Sequence, residues 1–189
     1  LQERVKRWVR KTATDLSDPV ARFIPQFANM KVAVARSGSG GSEGASFYTV
    51  PAQRPITIKD LLTHTSGLGS GPMGDSEIAR VARKEGERLS DYIPRLGGTP
   101  LEFQPGSRWT YSPGAGFETL GRIIEVGSGL PLDQFFQTRI FDPLGMRDIT
   151  FWPTDAQRPR VATVYQRTPN GLSKTVMPEN QLRTKTARR

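Results

Sequence analysis

Tyr111 is the residue of this sequence whose position best suits proton transfer. Two prolines and a Pro-Gly turn precede it in TPLEFQPGSRWTY, so a loop delivers it. Ser112 and Pro113 are residue types preferred at the N-cap and first position of a helix. The positive end of a helix dipole would modestly stabilise a phenolate at that point. Most tyrosines nevertheless pack their rings and bond their hydroxyls locally, so the sequence leaves a structural role open.

A nucleophile to accompany this tyrosine is harder to find. No serine is followed three residues later by lysine. The G-x-S-x-G pattern at Gly40–Gly44 lies in a Gly/Ser-rich run, whereas a nucleophile elbow needs a strand, a sharp turn and a helix. His64 is the only histidine, so a Ser-His-Asp triad would have to use it. A lone histidine late in an amphipathic helix more often has a structural role.

Metal and cofactor sites are not expected. The sequence has no cysteine and no second histidine to share a metal ion. Gly69–Gly74 spells G-x-G-x-x-G, but it follows a predicted helix, whereas a dinucleotide-binding loop follows a strand. We therefore expect no cofactor.

The elements that would carry Tyr111 can be predicted from local patterns. Alternation and short length predict strands at Lys31–Arg36 and Phe47–Val50. Thr57 and Asp60 form a capping-box pattern that starts a helix. Pro19 and Pro25 predict a turn and an extended entry, and spaced apolar residues predict an N-terminal helix at Leu1–Val9. The four predicted helices thereafter are Thr57–Ser66, Ser76–Leu89, Pro113–Val126 and Pro131–Phe141.

The net charge of +9 is concentrated at the two ends. Residues 1–11 hold five basic groups and one acid, and residues 183–189 hold four basic groups and no acid. The remainder is almost balanced, so we interpret the ends as solvated tails and expect no specific nucleic-acid binding. No apolar run is long enough to predict a membrane-spanning helix. Composition leaves the cellular compartment and the oligomeric state open.

Four stretches resemble one enzyme family. They are ITIKDLLTHTSGL at Ile56–Leu68, FQPGSRWTYSPGAGFETLGRIIEVGSG at Phe103–Gly129, RIFDPLGMRDITF at Arg139–Phe151 and, more weakly, LSDPVARFIPQF at Leu16–Phe27. Together they resemble serine hydrolases related to class C β-lactamases, which include penicillin-binding proteins and β-lactamase-like esterases. The resemblance implies an α/β fold of the α+β type, mainly helical, that is an incomplete β-lactamase/transpeptidase-like domain.

The resemblance also divides the chain and assigns residues. Residues 16–165 correspond to the central portion of the domain, between a basic N-terminal segment at 1–15 and a basic tail at 166–189. Tyr111 matches the tyrosine of the family's Tyr-x-Asn motif, which takes or relays the serine proton and later protonates the leaving group. Pro113 replaces the asparagine that holds an acylamido group, which favours an ester substrate. Leu68 and Gly69 become expected substrate-lining residues.

Two family motifs are missing from this sequence. The Ser-x-x-Lys pair is absent, and Lys185-Thr186 is followed by Ala187 instead of the glycine of a Lys-Thr-Gly motif. We therefore expect hydrolysis of a small-molecule ester or amide in the complete protein, and no activity in this chain alone. Two alternatives are an inactive relative that binds peptidoglycan-like or ester ligands and a basic nucleic-acid-binding protein.

Overall fold

The computed structural model describes residues 14–36, 47–84, 86–112 and 114–175. The chain divides into two compact units between Leu132 and Asp133, and each is described here by itself. The predicted helix at Leu1–Val9, the Gly/Ser-rich loop with Gly40–Gly44, and Pro113 lie outside the described residues.

Among its described residues, the first unit contains one antiparallel strand pair, as the alternating pattern predicted. Strand β1 (Lys31–Ala35) pairs with β2 (Phe47–Pro51), and Val32 lies opposite Val50. On the other edge of β1, Leu101 forms a parallel bridge with Val32, and backbone hydrogen bonds of 2.7 and 2.8 Å join Leu101 to the strand. The segment that leads to Tyr111 therefore starts at a fixed point beside the sheet.

The entry to this unit is helical where an extended segment was predicted. Val20–Arg22 and Pro25–Phe27 each form a short 3-10 helix. Proline's fixed φ suits the first position of a helical turn as well as an extended chain, so Pro25 can begin one. The amide of Val20 donates to the carbonyl of Ile56 at 3.0 Å, which joins this entry to the chain before the next helix.

Helix α1 (Ile58–Leu62) begins where the capping box predicted. The amide of Asp60 donates to Thr57 Oγ1 at 3.2 Å, and the amide of Thr57 donates to Asp60 Oδ2 at 2.9 Å. The helix is shorter than the predicted Thr57–Ser66, because His64 has a φ of 57° and turns the chain away.

The prediction of a single helix over Ser76–Leu89 is wrong. The chain forms α2 (Pro72–Arg80) and α3 (Leu89–Leu96) instead. Helix α3 begins where the carboxylate of Asp91 accepts a hydrogen bond from the amide of Arg88 at 3.2 Å. It forms although it contains Pro94, because four of its side chains are buried: Leu89, Tyr92, Ile93 and Leu96.

Helix α4 (Ala115–Ser128) follows Tyr111 and lies within two residues of its predicted bounds. It ends at Gly129, whose φ of 71° allows the left-handed turn that closes a helix. The buried core of this unit includes Val20, Phe27, Val32, Ile56, Leu61, Leu68, Ile93, Leu96, Leu101 and Ile123. Strand β2 and helix α2 add the partly buried Val50 and Ile78.

The second unit begins with helix α5 (Leu132–Phe136), which straddles the unit boundary and continues as a π-helical turn over Gln137–Phe141. Together they match the predicted helix at Pro131–Phe141. A 3-10 helix at Arg158–Arg160 and a hairpin of β3 (Tyr165–Thr168) and β4 (Gly171–Lys174) follow. Among the described residues, no helix has the length and apolar character needed to cross a membrane.

Candidate active site

Tyr111 lies on an exposed loop immediately before α4, and its side chain is 54% exposed. Its ring packs against that of His64, with 4.8 Å between the centroids and an angle of 55°. Trp109 and Phe117 contact the same imidazole at centroid distances of 6.3 and 5.3 Å. Three aromatic side chains therefore surround His64, and the phenol of Tyr111 remains accessible.

The segment that carries Tyr111 is hydrogen-bonded along the turn at His64–Leu68. Its backbone amides donate to three carbonyls of the turn: Glu102 to Gly67 at 2.8 Å, Gly106 to Thr65 at 2.8 Å and Thr110 to His64 at 3.1 Å. The HTSGL sequence thus forms the support on which the Tyr111 loop lies.

Ser112 locks the end of this segment to the same turn. Its hydroxyl donates to the carbonyl of Leu68 at 2.7 Å and accepts from the amide of Gly116 at 3.3 Å. The prediction of Ser112 as the N-cap is wrong, because α4 starts at Ala115 with Gly114 as its N-cap and without a side-chain cap hydrogen bond. Because the hydroxyl proton is given to Leu68, Ser112 is not arranged as a nucleophile activated by His64.

His64 supports the loop through its ring as well. Its Nδ1 accepts a hydrogen bond from the backbone amide of Ser112 at 3.3 Å. The contact is with a backbone N–H, whereas a catalytic triad requires the imidazole to face a serine hydroxyl. The geometry matches the structural role that the sequence favoured for this histidine.

The two expected substrate-lining residues occupy the core side of the turn. Leu68 is fully buried, and its carbonyl is the acceptor for Ser112. Gly69 has a φ of 55°, and a Cβ there would lie 2.4 Å from Cδ1 of Ile78. The side chain of Leu68 is therefore a packing group, and any contact of these residues with a substrate would involve their backbone.

The G-x-G-x-x-G pattern at Gly69–Gly74 has a structural explanation. The carboxylate of Glu102 accepts a hydrogen bond from the amide of Gly74 at 2.7 Å, at the N-terminus of α2. A Cβ on Gly71, whose φ is 138°, would lie 2.7 Å from Cδ of that carboxylate. The Glu102 side chain thus occupies the place where a phosphate would bind in a dinucleotide fold.

Asp60 holds the base of the turn together. Arg54 donates to both of its carboxylate oxygens, at 2.6 and 2.9 Å, and Thr65 donates to Oδ1 at 3.2 Å. Burial acts to raise the pKa of Asp60, but the hydrogen bonds from Arg54 and Thr57 outweigh it and hold the pKa at about 2. This carboxylate is therefore a structural anion, unsuited to general-base work near neutral pH.

Sequence reasoning did not single out Glu102 or Arg54. The available signal for Glu102 was an acidic residue directly after the apolar Leu101 in a proline-flanked segment, which is an unusual place for a buried charge. Within the described ranges, no group of three or more acidic, histidine or cysteine side chains is placed to hold a metal ion.

Comparison with known proteins identifies the family. The family described as Beta-lactamase matches residues 5–184. The chain belongs to the Beta-lactamase family. This confirms the resemblance drawn from the HTSGL and Tyr111 segments, and it places the chain in a serine hydrolase family that includes esterases.

Individual family members show how much of the domain is present. Protein Rv1367c of Mycobacterium tuberculosis is 38% identical over 154 residues, which cover 80% of this chain and 36% of that protein. Lovastatin esterase of Penicillium rubens is 38% identical over 145 residues, which cover 74% of this chain and 35% of the esterase. The chain thus spans just over a third of the curated relatives it matches.

A solved structure of the family confirms the fold class. EstCE1, a hydrolase with promiscuous acyltransferase activity, superimposes with a TM-score of 0.65 at 28% identity. The match covers 90% of this chain and 41% of EstCE1. The chain is therefore an incomplete β-lactamase-like domain of mixed helices and strands, as the sequence predicted.

Proposed function

We propose that this chain forms part of a serine hydrolase that cleaves small-molecule acyl esters, in which Tyr111 transfers the proton of the nucleophilic serine. The observation that carries the proposal is the combination of an exposed phenol with a backbone hydrogen-bonded at both neighbouring residues. A general acid–base group must reach the substrate and also keep its position. Tyr111 meets both requirements.

An ester is the favoured substrate class. Pro113 stands at the third position of the motif that Tyr111 begins, and proline has no side-chain amide to bind an acylamido group. The lovastatin esterase from Penicillium rubens supports the same choice by its name. A β-lactam or peptide substrate would lose a polar contact that an ester does not need.

The proposal assigns the nucleophile to a part of the protein beyond this sequence. Acyl transfer needs a serine activated by a base and donors for the oxyanion. No serine among these 189 residues has a lysine three positions later, and the described Ser112 is bonded to backbone. We therefore expect the isolated chain to hydrolyse p-nitrophenyl butyrate no faster than a heat-treated sample.

A chimera tests the role of Tyr111. Residues 14–175 would replace the structurally matched part of EstCE1, which supplies the remainder of the domain. In this chimera we expect hydrolysis of p-nitrophenyl butyrate, and Tyr111→Phe to lower kcat roughly 100- to 10,000-fold, as for a lost general acid–base group. Tyr48→Phe is the matched control, because Tyr48 is similarly exposed on β2.

The outcomes separate the alternatives. Full activity in Tyr111→Phe would contradict the assignment of the proton-transfer group. Turnover by the unmodified 189-residue chain would mean that it contains a nucleophile of another kind. A folded chimera that binds the ester without cleaving it would favour the inactive binding protein.

A further inference from the structure

Two hydrogen bonds to a single residue bracket Tyr111. The amide of Thr110 donates to the carbonyl oxygen of His64 at 3.1 Å, and the amide of Ser112 donates to Nδ1 of the same residue at 3.3 Å. The imidazole also lies against the phenol ring, at 4.8 Å between centroids. The backbone on both sides of Tyr111 therefore follows the position of His64.

The backbone of His64 adopts a conformation that side chains disfavour. Its φ of 57° lies in the left-handed region, and it is the one non-glycine residue with positive φ in the described part of the chain. Glycine and asparagine adopt this conformation more readily than most residues. The contacts of its ring help to hold the histidine in this backbone conformation.

The hydrogen bond from Ser112 depends on the protonation state of the ring. Nδ1 can accept a hydrogen bond only when it carries no proton, so the imidazole must be neutral with its proton on Nε2. Protonation would place an N–H opposite the N–H of Ser112, and the hydrogen bond would be lost. The attachment of the Tyr111 loop thus depends on a free acceptor at Nδ1 of His64.

Few charges act on this ring directly. Tyr111 is the titratable group in ring contact with it, and Trp109 and Phe117 carry no charge. Lys59 on α1 is exposed. The other charged side chains on the adjoining elements are engaged elsewhere: Asp60 with Arg54, Arg108 over the ring of Phe103, Glu118 with Arg83 and Arg122 with Glu125.

We propose that His64 is a positioning residue for Tyr111, which the neutral imidazole holds in place and protonation releases. The catalytic meaning of this inference rests on the proposed function of Tyr111. The hydrogen bonds to His64 lie within this chain, so they can be tested on the isolated chain without an activity assay.

Two substitutions separate the hydrogen bond from the backbone conformation. His64→Asn places an oxygen acceptor on Cγ, the atom to which Nδ1 of histidine is bonded. Asparagine also tolerates positive φ and does not titrate between pH 5 and 8. His64→Gly also accepts the backbone conformation but offers no acceptor. A difference between these two variants therefore reports on the hydrogen bond to Ser112.

Amide hydrogen exchange of Ser112, followed by NMR, measures the attachment directly. Near neutral pH we expect His64→Gly to lower the protection factor of Ser112 roughly five-fold, as for the loss of one hydrogen bond, and His64→Asn to retain it. On acidification, protection of Ser112 in the parent chain should fall together with the titration of the His64 ring signals, which are unambiguous because the sequence has one histidine. The asparagine variant should show no such fall.

The amide of Glu102, bonded to Gly67 at 2.8 Å, is the internal control for global unfolding. Equal Ser112 protection in the glycine variant and the parent would overturn the inference, and so would the same acid response in the asparagine variant. If His64→Gly does not fold, the pH dependence of Ser112 protection in the parent and in His64→Asn still tests the inference.

The chimera with EstCE1 then tests whether the attachment of the Tyr111 loop to His64 affects catalysis. We expect His64→Gly to lower kcat with little change in KM, and His64→Asn to restore it, because substrate contacts are unchanged while the phenol is less well placed. An inactive chimera combined with the expected exchange data would refute the proposed function and leave the attachment of the loop established.

Discussion

The hydroxyl of Ser112 donates a hydrogen bond of 2.7 Å to the carbonyl of Leu68, across 44 positions of sequence. The same oxygen accepts from the amide of Gly116 at 3.3 Å. One buried side chain thus joins the turn at His64–Leu68 to the first turn of α4, directly beside Tyr111.

Replacing this hydroxyl tests its contribution to the fold. We expect Ser112→Ala to lower the free energy of unfolding by about 1 to 2 kcal/mol, because the buried carbonyl of Leu68 loses its partner. Urea denaturation measures the change. Ser76→Ala is the control, since its hydroxyl also donates to a backbone carbonyl, that of Met73, but is exposed. Equal effects of the two substitutions would contradict a special role for Ser112.

Asp60 should make stability fall in acid. Its pKa of about 2 in the folded protein lies below the ordinary 3.8, so the unfolded chain binds the proton more readily. The stabilisation is therefore complete above a pH of about 4 and disappears as the pH falls toward 2. Because Arg54 is 43% exposed, solvent screening limits the expected contribution to about 1 to 2 kcal/mol.

Asp60→Asn measures this contribution. We expect the decrease in the free energy of unfolding between a pH of about 4 and about 2 to shrink by about 1 to 2 kcal/mol in this variant. Asp148→Asn, which breaks the exposed pair with Arg160, should leave the acid response almost unchanged. An acid response of Asp60→Asn identical to that of the parent would show that another carboxyl group is responsible.

Two glycine substitutions should change the free energy of unfolding in opposite directions. Gly71→Ala would place a methyl group 2.7 Å from the carboxylate of Glu102 at a φ of 138°, so we expect a loss of roughly 2 kcal/mol or more. Gly127→Ala changes the next-to-last residue of α4, where a Cβ meets no atom within 4 Å. It should raise the free energy of unfolding by about 0.5 to 1 kcal/mol. Thermal and urea unfolding report both changes, and a neutral Gly71→Ala would contradict the packing described.

The isolated chain should bind an apolar dye near Tyr111. Leu62, Trp109 and Phe117 are large apolar side chains that are each about half exposed or more. We expect 8-anilinonaphthalene-1-sulfonate to fluoresce with this chain, and Trp109→Ser to weaken the signal. Leu172→Ser changes an equally exposed side chain in the β3–β4 hairpin and should have a smaller effect. Dye binding that is unaffected by Trp109→Ser would place the apolar surface elsewhere.

Local sequence was sufficient for the elements whose signals lie within a few residues. The Thr57 and Asp60 capping pair, the alternation in β1 and the loop before α4 were all predicted, because caps, pleats and turns depend on neighbouring residues. Family resemblance added the expected role of Tyr111. Helix α3 was missed, because Pro94 argues against a helix locally and only the burial of side chains such as Ile93 and Leu96 overrides it.

The support of the candidate site was decided by tertiary structure. Nothing in the sequence shows that Nδ1 of His64 accepts from Ser112, or that Glu102 reaches Gly74. These partners are 48 and 28 positions apart, and their meeting depends on how the core packs helices α1, α2 and α4 together. Residue types and spacing, together with the family resemblance, therefore singled out Tyr111 as the candidate proton-transfer residue. The packed core determined what holds that residue in place, because long-range hydrogen bonds have no local periodicity from which to predict them.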